Sequence, residues 1–164
     1  MITIKLKAVH ANAVIPQRKT RLSSGADIFS VESFTIPAKG WVLADTGLVV
    51  ADMPALAGYL DKTLFKLPHE HIEIGLELQV RARSGEAAKR GIFVLNEPGT
   101  VDADYRGPIK VILANFSNED VVFPAGARIA QMVCGLVLYA DYEIVDEVTE
   151  TERGAGGFGS TGVS

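Results

Sequence analysis

The chain is poor in the side chains that staple or metallate small folds: of 164 residues, one is cysteine and three are histidine. A single thiol excludes an internal disulfide framework. The apolar residues around Cys134 (Ile129, Met132, Val133 and Leu136) predict a reduced cysteine packed in the core as a small hydrophobe. His69 and His71 stand at i and i+2, with no Cys or further His beside them to complete a tetrahedral zinc set. Charge of one sign is lacking too, since 16 Lys and Arg against 20 Asp and Glu leave only −4. Such a chain has no field for polyanions, so nucleic acid is not an expected partner and a nucleotide would need a local basic cluster. No stretch of about 18 apolar residues is present to cross a membrane. The opening MITIKLKAVH lacks the apolar core of a secretory signal, which makes the cytoplasm the expected location. No serine lies in a G-x-S-x-G elbow, and no Ser/His/Asp triad can be assembled.

What is plentiful is period-two alternation. Ile2, Ile4 and Leu6 alternate with Thr3, Lys5 and Lys7, and Leu76, Leu78 and Val80 alternate with Glu77, Gln79 and Arg81, as half-buried strands do. Further β-rich runs at 34–36, 41–50, 92–95, 109–116, 121–123, 129–139 and 142–148 are punctuated by PAKG, NEPG, FSNED and PAGA. Many short strands with regular turns predict an all-β antiparallel sandwich or barrel, and the length predicts one domain, residues 1–150. Two segments break the alternation. PALAGYLDKTLFKLP (54–68) carries Leu56, Tyr59, Leu60 and Leu64 at helical spacing and predicts a short amphipathic helix, with a disordered lid as the alternative. SGEAAKRG (84–91) offers Ser84 as an N-cap and Gly91 as a stop, enough for one or two helical turns.

Residues 151–164 form a glycine-rich arm in which five of the ten positions from Arg153 to Gly162 are glycine. Ordering ten such residues costs on the order of 10 kcal/mol, so a frayed end is the plain reading. The G-x-G-x-x-G inside GAGGFG is a coincidence of composition, because no helix can follow it in the residues that remain. The alternative is an arm that orders only when an anionic, flat ligand reaches Arg153 and Phe158. Two other stretches carry chemistry. Arg81, Arg83, Lys89 and Arg90 surround Ser84 and Gly85 at a helix start, which suits phosphate or, equally, a solvated charged edge. In VDADYRG, Asp102 and Asp104 share a face if the chain there is extended, though an Asp-rich turn is the commoner reason for such a sequence.

Taken in order, SGADIFS (24–30), RSGEAAKRGI (83–92), GTVDADYRGPI (99–109), GARIAQM (126–132) and RGAGGFGSTG (153–162) resemble the five motifs of the trimeric dUTPases, the deoxyuridine triphosphate nucleotidohydrolases. The resemblance spans most of the chain and implies a β jelly roll. It also implies hydrolysis of dUTP to dUMP and pyrophosphate, which keeps uracil out of DNA and supplies dUMP for thymidylate synthesis. Asp102 corresponds to the aspartate that activates the water attacking the α-phosphorus. Mg²⁺ is implied as cofactor, held by the triphosphate with no direct protein ligand, and Asp27 corresponds to the acidic residue that approaches the ion through water. Arg83, Ser84 and Gly85 resemble the phosphate-contacting segment, with Gln131 near the α-phosphate. Asn96, with the hairpin backbone at Gly99 and Val101, resembles the uracil-binding edge, and Tyr105 the ring packed under the deoxyribose. Arg153 would meet the γ-phosphate and Phe158 would cover the uracil, followed by Gly159 and Ser160. The family's pockets are shared among subunits, so the resemblance implies a homotrimer in which the arm completes a neighbour's site.

Ala82, Glu86 and Ala127 depart from the family's usual proline, leucine and acidic residue. The larger departure is the segment 52–75, an expected insertion of roughly 15–20 residues where short connections are the norm. It suggests a viral or phage-like member, then working in host cytoplasm, and a segment that could bind a protein partner. A dCTP deaminase shares the VDADYRG region, but Ile112 stands where its proton-shuttling glutamate would fall. A non-catalytic or dual-function regulatory trimer acting through 52–75 is the alternative from another class.

Overall fold

The computed structural model describes residues 2–54 and 74–157. The helix expected at 54–68, and with it most of the expected partner segment, lies outside the described residues.

Alternation becomes strands much as the pattern predicts, except that the run at 142–148 is corrected: it lies exposed beyond β10 and forms no strand. The first sheet runs β1 (Lys5–Ala8), β4 (Trp41–Asp52), β8 (Pro108–Asn115) and β6 (Ile92–Val94). The second runs β2 (Ala26–Phe29), β10 (Arg128–Leu138), β5 (Ile74–Arg81) and β7 (Gly99–Val101), and a two-stranded ribbon joins β3 (Phe34–Ile36) to β9 (Val121–Phe123). Every pairing is antiparallel. Inward residues of both large sheets, among them Ile28, Val50, Leu78, Val80, Val111 and Leu113, form one buried cluster. Each such side chain contributes about 1.5–3 kcal/mol by leaving water, so the sandwich needs no covalent staple. The ribbon closes one end, where the Phe34 and Phe123 rings stack with centroids 5.3 Å apart.

Polar groups inside are paired. Thr46 donates its hydroxyl to the Ile109 carbonyl at 2.6 Å. Asn115 ties three segments together: its Nδ2 donates to Ile36 O (3.1 Å) and Glu119 O (2.8 Å), and its Oδ1 accepts from Ser117 N (2.9 Å).

The expectation for Cys134 is corrected: the cysteine is exposed. β2 pairs with β10 only as far as Met132, opposite Ala26. Beyond that point β10 is an edge, and Leu136 and Leu138 are 62% and 64% exposed, although Leu76, the β5 partner of Leu136, is buried within the sandwich. Partial burial still raises the Cys134 thiol pKa above its ordinary value, and the nearby Arg18 offsets this only in part.

The single described helix, α1 (Ser84–Arg90), is also displaced by one residue from expectation. Ser84 is its first helical residue, and Arg83 occupies the N-cap, its carbonyl accepting from Glu86 N and Ala87 N at 3.0 Å. Gly91 ends the helix in the left-handed region at φ 66°, where glycine adds no steric cost.

Candidate active site

The expected site residues fall into two groups on one chain. The first gathers where β2, β10 and the start of α1 meet. Gln131 of β10 pairs in register with Asp27 of β2 on one side and Arg81 of β5 on the other. Its Nε2 donates to the Ala82 carbonyl at 2.7 Å, which fixes the amide beside the entry to α1. Asp27 gives one carboxylate oxygen to Arg83 Nε and the other to Arg128 Nη1, both at 3.2 Å. Arg128 therefore finds its acid in Asp27, although Ala127 removes the acidic neighbour usual before it. Arg83 Nη1 also donates to the Arg128 carbonyl at 3.1 Å. Helical pairing in α1 begins with the Glu86 N–H, so the Ser84 and Gly85 N–H groups stay outside the helical ladder. The helix has seven residues, and the free amides with the Arg83 guanidinium, rather than a long dipole, are what an anion would meet there.

The second group lies on the β6–β7 turn and the segment after β7. Gly99 leaves room for Asn96, since a Cβ on Gly99 would stand 3.3 Å from Asn96 Nδ2. Val101 is buried at the end of β7. Of the two readings of VDADYRG the turn is the one observed, and Asp102 and Asp104 are not on an extended strand: Tyr105 N donates to Asp102 O at 3.1 Å. Even so, both line one cleft of about 470 Å³ with Leu76, Glu77, Ala103, Val137 and Tyr139. The Tyr105 ring lies against Gly107, where a Cβ would come within 2.5 Å of Tyr105 Cζ, and its hydroxyl donates to Pro108 O at 3.2 Å. Glu77 and Tyr139 were not singled out in the sequence. Alternation along β5 assigns Glu77 to a face, but only the pairing of Leu78 with Val101 brings it beside Asp102.

The two groups adjoin on β5, where Gly99 pairs with Val80 and Gln131 with Arg81, but Asp102 and Arg83 stand apart. Val101 pairs with Leu78, so Asp102 stands at the level of Glu77, six residues before Arg83. At about 3.3 Å per residue, six extended residues cover roughly 20 Å, farther than a triphosphate reaches. The described part of the arm folds on itself: Arg153 Nε donates to Gly156 O at 2.8 Å and Gly156 N returns to Arg153 O at 3.0 Å, a local turn that leaves Arg153 exposed. Phe158, Gly159 and Ser160 lie outside the described residues. A larger cleft, about 540 Å³ between the end of α1 and the β8–β9 turn, takes Lys89 and Arg90 of the expected basic cluster away from Arg83 and Ser84. Among the described residues, no three His, Cys, Asp or Glu side chains gather as a metal-binding group.

The sequence model of the dUTPase family matches residues 69–162, more than half of the chain. The chain belongs to the dUTPase family. It is 47% identical over 161 residues to a deoxyuridine 5'-triphosphate nucleotidohydrolase of Wolinella succinogenes, covering 98% of this chain and 95% of that one. The fold is shared with the dUTPase of Staphylococcus bacteriophage 80alpha, solved with dUPNHPP, at a TM-score of 0.77, 23% identity and coverage of 98% of this chain and 99% of that one. A dUTPase from phage phi11 of S. aureus, a mutant whose structure details the coordination of a structural Mg(II) ion, superposes at a TM-score of 0.69 with 19% identity over 88% of this chain and 97% of that one. The architecture is the jelly roll of these structures.

Proposed function

We propose that this chain hydrolyses dUTP to dUMP and pyrophosphate in pockets that three copies complete for one another. The observation that carries the shared pocket is the separation of Asp102 from Arg83 along β5, with family membership supplying the chemistry. A trimer is supported by what the single chain leaves uncovered: Leu136 and Leu138 on the edge of β10, and Tyr142, Ile144 and Val148 at 96%, 99% and 91% exposure in the acidic segment that follows. Such an apolar surface normally marks contact with a partner.

In the assembled pocket the uracil lies against the Asn96–Val101 turn, whose amide and backbone groups match the polar edge of the base. A base with the wrong edge leaves those groups unpaired, which is the stronger form of discrimination. Tyr105, braced on Gly107, forms a floor under the sugar with no space for a 2′-hydroxyl. Asp102, exposed in its cleft, accepts the proton of the attacking water and aims it at the α-phosphorus. The α–β anhydride bond breaks, and the electron pair leaves with pyrophosphate. From a second copy, Arg83, the Ser84 and Gly85 N–H groups and Gln131 hold the phosphates, and Arg153 with Phe158, Gly159 and Ser160 of an arm closes over them. Positioning and charge neutralisation carry most of the acceleration in phosphoryl transfer.

The donor set fits Mg²⁺ carried by phosphate oxygens, because the described residues offer no protein cage and the ion keeps several waters when it binds substrate phosphates. When bound, it draws charge from the phosphate oxygens. Asp27 already engages two guanidinium groups, so its main contribution is to hold Arg83 and Arg128, with any contact to the ion made through water.

Each deoxynucleoside triphosphate incubated with the protein and Mg²⁺, with pyrophosphate and monophosphate measured, tests the proposal. Selective release of dUMP is expected, with chelation of Mg²⁺ slowing it. Equal turnover of dUTP and dTTP, or none of dUTP, overturns it.

A further inference from the structure

α1 contains a pair that neither the site nor the family's motifs account for. Glu86, whose side chain is 19% exposed, places Oε1 3.5 Å from Arg83 Nη1 and Oε2 3.1 Å from Arg90 Nη1. Arg90 is fixed in turn: its Nη2 donates to the Val122 carbonyl at 3.2 Å, and its guanidinium lies 4.5 Å from the ring centroid of Phe123, a residue of the core. A continuous strut thus runs from the core through Arg90 and Glu86 to Arg83, and on through Asp27 to Arg128. Arg83 Nε faces Asp27 and its Nη1 is shared between Glu86 and the Arg128 carbonyl, so Nη2 is the edge turned to a ligand.

We propose that Glu86 is a positioning residue: it holds the Arg83 guanidinium in its phosphate-binding orientation, anchored to the core through Arg90. The inference rests on the reading of Arg83 as a phosphate contact. An arginine side chain has many rotamers to lose on binding, and a guanidinium already held loses fewer of them when phosphate arrives, which is the general origin of preorganised affinity. Glu86 also brings a negative charge towards an anionic ligand. Its pairing with Arg90 offsets that charge locally, and what remains is screened over a Debye length of about 8 Å at physiological salt.

The test uses the full chain with Mg²⁺ and two probes, α,β-imido-dUTP and deoxyuridine. Glu86→Leu removes charge and shape, and Glu86→Gln keeps shape alone. Both are expected to weaken imido-dUTP binding and raise KM about two- to five-fold, the range of partly exposed ion pairs, with kcat and deoxyuridine binding unchanged. In an Arg83→Ala background, Glu86→Leu is expected to have no further effect, because the cycle isolates the coupling between the two residues. The proposal is overturned if both variants bind imido-dUTP as tightly as the unsubstituted protein or more so, if deoxyuridine weakens equally, or if the effect persists without Arg83. Failure of the unsubstituted protein to bind imido-dUTP overturns the reading of the pocket and the strut together, whereas tight binding with insensitive variants overturns the strut alone.

Discussion

Gly25 lies directly against Gln131: a Cβ at position 25 would stand 2.9 Å from Gln131 Cδ and 3.2 Å from its Cβ. The second of those atoms is close to the backbone and cannot swing away. Gly25→Ala therefore displaces Gln131 from the Ala82 carbonyl and disturbs the entry to α1. The expected result is a kcat/KM for dUTP lower by about 10- to 100-fold, as for an ångström-scale misplacement of a binding group, with a melting temperature that changes little. Steady-state kinetics beside a thermal melt checks it, and unchanged kinetics would remove Gln131 from the site.

Removal of residues 153–164 tests the arm. Its described part bonds only within itself, through Thr151, Arg153 and Gly156. Truncation is thus expected to leave the melting temperature and oligomeric state intact while dUTP turnover is lost. Normal turnover by the truncated protein would show the glycines to be no more than a loose end.

Asn115 offers a stability prediction separate from catalysis. It is 2% exposed and makes three hydrogen bonds to β3 and the β8–β9 turn. Asn115→Ala removes all three bonds and takes the amide from the Ile36 carbonyl inside the fold, and is expected to cost about 2–4 kcal/mol. In a chain of this size that lowers Tm by roughly 5–15 °C. A calorimetric melt reads it directly.

The parts of this fold that can be read from sequence are those whose cause is local. Alternation in Leu76–Arg81 announces β5, and Gly91 announces the end of α1. Cys134 was misread because burial is not a local property: the same alternation continues along β10, and only the length of β2 decides where the cover stops. The turn at Asp102 was legible as the commoner reason for its aspartates, although a period-two pattern of acids fits a strand as well. Asp27 was legible as an acidic site residue from its motif. Its two arginine partners were not, because Arg83 and Arg128 reach it from elements 56 and 101 positions away in the chain. Glu86 looked like an isolated departure at one position until Arg90 and Phe123 gave it a place.

The roughly 20 Å between Asp102 and Arg83 along β5 has a consequence for mixtures. If, as proposed, each chain lends its acid to one pocket and its guanidinium to another, two separately impaired proteins contain complementary intact halves. Asp102→Asn is expected to lower kcat by about 10²–10⁴-fold, the usual worth of a general base, and Arg83→Ala to weaken phosphate binding. If the two are unfolded together in equal amounts and refolded, random assembly into trimers gives about a quarter of the pockets an unaltered acid from one copy and an unaltered arginine from another. Activity of the mixture should then exceed that of either parent. A mixture as inactive as its components would mean that every chain works alone.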